Sequence, residues 1–199
     1  MSFFASTMKA FYHATNDYLR QQQIEAAGET IQKCSITAAV SSAGASFLPG
    51  IGGIISAGIT IVAIWTMYVK INKDLEISIS KNILKSLASA LLTNIIGSVA
   101  SLFLSFICVK LLNFMPGLHI PAAMLDGAIA YVIVFASAVL YIKLLTKLFC
   151  ARKSFDLSKD DIPNITEEII RETSMKDLIK EAKESYNEHK EEIRNKKNY

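Results

Sequence analysis

The chain has 199 residues, a net charge of +3, 51% hydrophobic residues and 20% charged ones. Those totals suit one domain with tails, but no charge occurs at residues 34–69 or 86–109, and only Asp126 is charged within 111–142. Each run exceeds the roughly 20 residues that cross a bilayer. This excludes an ordinary cytosolic enzyme and a disordered chain, and interleaved basic and acidic residues argue against a nucleic-acid partner.

From the start, Phe4, Met8, Phe11, Tyr12, Tyr18 and Leu19 recur at mostly helical spacing. Two placements are open: a helix at the membrane interface, or one packed on the C-terminal tail. The aromatics are spread out, not gathered behind a basic start as in a signal peptide. Residues 34–48 come next, uncharged and rich in alanine, serine and glycine. They give only about 22 Å of helix, short of a hydrocarbon core of about 30 Å. The first hairpin is therefore re-entrant, or its helix extends back through Ile31, or the bilayer thins.

Phe47-Leu48-Pro49-Gly50-Ile51 reads as a turn, because proline disfavours helix before it and glycine tolerates left-handed angles. Residues 51–69 are uncharged and end on Trp65, Tyr68 and Lys70, interface anchors followed by a charge. Lys70, Lys73, Lys81 and Lys85 make the next connection the most lysine-rich between apolar segments. Residues 86–113 form a third apolar arm, interrupted late by Lys110. Phe114-Met115-Pro116-Gly117-Leu118 then repeats the first turn, and residues 121–142 form the last span before Lys143, Lys147, Arg152 and Lys153.

Two apolar hairpins turning at Pro49-Gly50 and Pro116-Gly117 emerge from this pattern. The positive-inside rule places the lysine-bearing segments, and so both termini, in the cytoplasm. Asp126 is the one carboxylate within an apolar span. Two roles are open to it: a proton or ion site, or a clasp with Lys110 that pins the hairpin. His119 is expected in the outer turn, solvated. Cys34, Cys108 and Cys150, an odd number beside apolar segments, do not form a disulfide framework.

Beyond residue 154, Asp160-Asp161-Ile162-Pro163 reads as a linker, and Asn164 with Glu167 as a capping box. Ile165, Ile169, Ile170, Leu178, Ile179, Ala182 and Tyr186 track one face of a single helix of about four to six turns. Glu167–Arg171 and Glu172–Lys176 would support it. This helix either lies on the protein's own cytoplasmic face or docks a partner through Ile169, Leu178, Ile179 and Tyr186. No phosphate loop, HExxH, GxSxG or CxxC occurs. The expectation is a non-enzyme without metal or cofactor.

The paired [LM]PG turns, the lysine-bearing connection and the Tyr141-Ile142-Lys143 end of the last span make residues 34–149 resemble the YcjF-type bacterial membrane domain of unknown function. That resemblance implies a helical domain in the bacterial inner membrane and a small GTPase as partner in trans. It supplies no catalytic residues.

The sequence thus predicts an all-α integral membrane protein in three parts. Residues 1–33 are an amphipathic N-terminal helical segment. Residues 34–150 are a membrane domain with hairpins at 34–69 and 86–149. Residues 151–199 are a charged cytoplasmic linker and amphipathic helix. The expected role is a membrane anchor or scaffold, seated in the lipid bilayer, that recruits a soluble, GTPase-like partner. Homo-oligomerisation is open. The alternatives are an oligomeric pore or ion-conducting protein using Asp126, and a soluble-first, insertable pore-forming protein.

Overall fold

The structure is a computed structural model and describes residues 2–46, 52–98, 119–152 and 157–197. Among the described residues there are seven helices and no strand: α1 (Phe3–Thr15), α2 (Gln21–Ala45), α3 (Gly52–Asp74), α4 (Lys81–Ser98), α5 (His119–Arg152), α6 (Ile162–Arg171) and α7 (Met175–Lys197). Both Pro-Gly turns and Lys110 lie outside the described residues.

The core is built on α5. From Ala130 to Ile142 this helix is uncharged and almost wholly buried, as a helix without a polar face must be. It contacts each of the other six helices. Two stretches, Ile54–Asp74 and Leu125–Ala151, are long and apolar enough to cross a membrane. Their surroundings differ: 78% of the second window is buried inside the protein and only 33% of the first. An enclosed core helix of a soluble protein has the same length and composition, so α3 is the more informative of the two.

Helices α2 and α3 form the first hairpin. Near the turn, the Ser42 hydroxyl donates to the Ser56 carbonyl at 3.4 Å. A Cβ on Gly52 would sit 2.6 Å from the Ala45 carbonyl oxygen, so only glycine lets the arms approach this closely. The α2 arm does extend back beyond Ile31, in one helix from Gln21 that runs across residue 33 without a break. Arg20 and Gln23 close its start, with the Arg20 N–H donating to Gln23 Oε1 at 2.7 Å. The extended half carries Glu25, Glu29 and Lys33 on an outer face, with Glu29 and Lys33 paired at 2.7 Å. Helix α5 runs antiparallel to α2 and parallel to α3, since Asp126 meets Ser46 while Ser137 meets Tyr68 and Tyr141 meets Asn72.

The N-terminal helix packs on the protein's own body. Phe11 is fully buried, and the rings of Phe4 and Phe135 lie 5.3 Å apart. Its first turn is held from α7: the Glu181 carboxylate accepts from the Phe3 N–H, and from the Phe4 N–H at 2.8 Å. A carboxylate there satisfies two otherwise orphan donors and complements the helix dipole. Glu181→Gln should cost about 1 kcal/mol and loosen α1. Hydrogen exchange should then show faster exchange in residues 3–8, with residues 134–142 unchanged.

The C-terminal segment departs from the single helix expected. It breaks at Glu172–Ser174 into α6 and α7. Glu172 lies in the break and pairs with Lys147 at 2.9 Å, not with Lys176. Lys147 also reaches Glu168 at 2.6 Å, and Lys143 donates to the Thr173 hydroxyl at 3.0 Å. The break lets α6 lie across α4 while α7 turns back along α5 and α2. The start of α6 also differs: its N-cap is Asp161, with Pro163 in the first turn, so Asn164 falls inside the helix. Proline needs no backbone donor there, which makes the first turn its favoured place.

Candidate functional site

Three constellations stand out. The first is the outer flank of α3 and α4. Ile54 is 77% exposed and Val62 61%, and Ile55 and Ile61 are exposed beside them. At 100° per residue, Ile54, Gly58, Ile61, Val62, Trp65, Val69 and Lys73 share one face of α3. The stripe runs from aliphatic to aromatic to cationic. The Lys85 ammonium of α4 sits 5.7 Å from the Trp65 ring centroid. Between the two helices an apolar groove of about 380 Å³ is lined by Ile61, Val62, Trp65, Ala88 and Leu92, with Lys85 at its edge.

The opposite flank is polar. Helix α7 runs antiparallel to α5: Glu181 holds the start of α1, Ser185 and His189 meet Tyr131, and Ile193 is buried one turn further. His189 also joins Gln32 of α2 at 2.8 Å. One helical turn is roughly 5.4 Å, which carries Lys190, Glu191 and Arg194 to about the depth of Asp126. Their side chains are exposed. Burial by the surrounding helices pushes the Tyr186 hydroxyl pKa up from its ordinary value.

The second constellation surrounds Asp126, which is fully buried. The Ser46 hydroxyl donates to its carboxylate and lies 2.9 Å from the Ser42 carbonyl. Beside it, a Cβ on Gly127 would stand 2.8 Å from the Ala39 carbonyl oxygen and 3.2 Å from the Ala43 methyl. Asp126 therefore lies at a close crossing of α2 and α5, beside the C-terminal end of α2. The Lys110 clasp falls outside the described residues. The partner that sequence reasoning missed is Ser46; its only signal was its place at the end of a small-residue run.

The third is a buried polar cluster. The Tyr68 and Tyr141 rings stack at 4.0 Å, Tyr68 Oη lies 2.6 Å from Ser137 Oγ, and Tyr141 donates to Asn72 Oδ1 at 2.8 Å. Tyr141→Phe would leave the Asn72 carbonyl oxygen unpaired in the core. The expected loss is about 1–3 kcal/mol, read as a lower urea midpoint by circular dichroism.

The residues expected to dock a partner face inward. Ile169 and Leu178 are buried in the core, and Ile179 and Tyr186 are half-buried against it. Tyr186 packs edge-on against Tyr131 with centroids 5.6 Å apart. Their face is covered by the chain itself, because it seals the enclosed α5. His119 opens α5 instead of standing in a turn. Among the described residues, no group of three or more His, Cys, Asp or Glu side chains is placed to hold a metal ion. Comparisons with protein-family models, curated proteins and solved structures find no match to this chain.

Proposed function

We propose that the chain is a membrane-seated, non-enzymatic anchor. Its α3–α4 flank enters lipid, and the body formed by α1, α6 and α7 stays in water to present a surface to a soluble partner. The observation that carries this reading is the contrast between flanks. Helix α3 turns Ile54, Ile55, Ile61 and Val62 outward, whereas the apolar faces of α1, α6 and α7 are turned onto the body of the protein. A contiguous aliphatic face rimmed by lysines is what an interfacial surface requires.

Depth is constrained by α7. Upright insertion to the level of Asp126 would carry Lys190, Glu191 and Arg194 into hydrocarbon. Each would cost roughly 3 kcal/mol near the bilayer centre. Entry by the α3–α4 flank leaves them in water. A partner surface, GTPase-like as the resemblance implies, then lies on the outer charged faces of α6 and α7 and not on Ile169, Leu178, Ile179 or Tyr186.

The test is flotation with phosphatidylcholine–phosphatidylglycerol liposomes and then an alkaline carbonate wash. The expected result is a chain that floats and resists the wash. A chain that stays at the bottom of the gradient would sink the reading. One observation favours a second reading, the soluble-first insertable protein: the window Leu125–Ala151 is wrapped by the chain's own helices. In that case the chain would purify without detergent as a monodisperse species and bind liposomes only later.

A further inference from the structure

We propose that the groove between α3 and α4 is a binding site for one anionic phospholipid, which lays an acyl chain along Ile61, Val62, Ala88 and Leu92 and sets its phosphate against Lys85. This rests on the reading that the α3–α4 flank meets lipid, and it names the lipid class that the flank would select.

The shape comes from residue size. Lys85, Ala88 and Leu92 are spaced three and four apart, so they share one face of α4. The small Ala88 between two long side chains leaves a gap, and the Trp65 ring of α3 helps form the opposite wall. The volume of about 380 Å³ falls within the roughly 300–1,000 Å³ of small-molecule sites. Ile61 and Val62 are each more than half exposed, so the groove opens onto the outward aliphatic stripe of α3.

The charge comes from the sequence. No acidic residue occurs from 77 to 125, so α4 carries Lys81 and Lys85 without a carboxylate. Among the described residues no ion pair forms at Lys85. Its ammonium stands 5.7 Å from the Trp65 ring centroid, at the edge of the apolar wall. An aliphatic cleft ending on one uncompensated cation matches an amphiphile with an aliphatic tail and an anionic head. A peptide fits less well. Its buried backbone donors and acceptors would need partners, and of the residues lining the groove only Lys85 and Ser89 are hydrophilic.

The full chain is reconstituted into phosphatidylcholine vesicles with a trace of spin-labelled phosphatidylglycerol or spin-labelled phosphatidylcholine, the label near the methyl end of one acyl chain. Electron paramagnetic resonance then reads the motionally restricted fraction. One lysine beside an anionic headgroup favours it about fivefold. The parent should therefore restrict phosphatidylglycerol about fivefold more than phosphatidylcholine, and Lys85→Gln less than about twofold more. Lys81→Gln removes the same charge one turn away, outside the groove, and should keep a preference of at least about threefold. Ala88→Phe should fill the gap and reduce the restricted fraction for both lipids. Lys85 is exposed, so Lys85→Gln decides the case if Ala88→Phe fails to fold.

Equal loss of preference in Lys85→Gln and Lys81→Gln would mean a diffuse attraction to the lysine-rich end and overturn the proposal. A folded Ala88→Phe chain that keeps the parent's restricted fraction would overturn it as well. A parent that floats with the vesicles but restricts neither lipid would remove the site and leave the membrane reading standing. A parent absent from the floated vesicles would defeat both.

Discussion

Gly127→Leu is expected to part α2 from α5 and lower stability by about 3 kcal/mol, the upper end of what overpacking costs. The Ala39 carbonyl oxygen would already be 2.8 Å from a bare Cβ at position 127. Neither backbone can retreat cheaply, because α5 is enclosed on all sides and α2 is tied to α3 at Gly52. The displacement would also pull Ser46 from Asp126, leaving a buried carboxylate without that donor. Gly58→Ala is the control. A Cβ there meets nothing within 4 Å, on an exposed face. It should gain about 0.5–1 kcal/mol through helix propensity alone. Urea unfolding of both variants, monitored by far-ultraviolet circular dichroism, separates a packing role at 127 from a general dislike of glycine replacement.

Placing charge on the outward face of α3 should have the largest effect on lipid binding. Ile61 is 53% exposed and Val62 61%, so Ile61→Asp with Val62→Asp leaves the core untouched. Each carboxylate would meet hydrocarbon at a cost of roughly 2–3 kcal/mol at partial depth. Together they should weaken liposome partitioning by roughly a hundredfold or more. Flotation across a series of lipid concentrations measures it, with unfolding midpoints checked alongside. Equal partitioning of variant and parent would mean that this face does not touch lipid.

Much of the architecture was legible because charge spacing carries it. The uncharged runs marked stretches of α2, α3, α4 and α5, and Gly52 packs beside Ala45 where α2 and α3 approach. The extension of α2 through Ile31 was one of three readings and could not be chosen from residues 34–48 alone. The break at Glu172–Ser174 was hidden because Glu172 and Lys176 have helical spacing, while the ion that holds Glu172 is Lys147, distant in sequence. The inward turn of Ile169 and Leu178 was equally hidden. Periodicity shows that a face is apolar but not what covers it. Periodicity also could not separate α3 from α5. Both look like membrane helices, and only tertiary packing shows that one is jacketed and the other exposed along one face. At the Asp126 site the carboxylate was visible at once, but Ser46 and Gly127 matter through a helix crossing that no local pattern announces.

The most direct test compares the two flanks within one molecule. Single cysteines are placed by Val62→Cys and by Lys190→Cys in chains whose Cys34, Cys108 and Cys150 are replaced by serine. Each chain is added to preformed liposomes and exposed to a membrane-impermeant maleimide. The expected result is rapid labelling at 190 and protection at 62 until detergent is added. Equal labelling at both positions would place the whole chain in water, and equal protection would mean that α7 enters the bilayer with the hairpins. Either result would contradict a protein with one flank in lipid and the other in solvent.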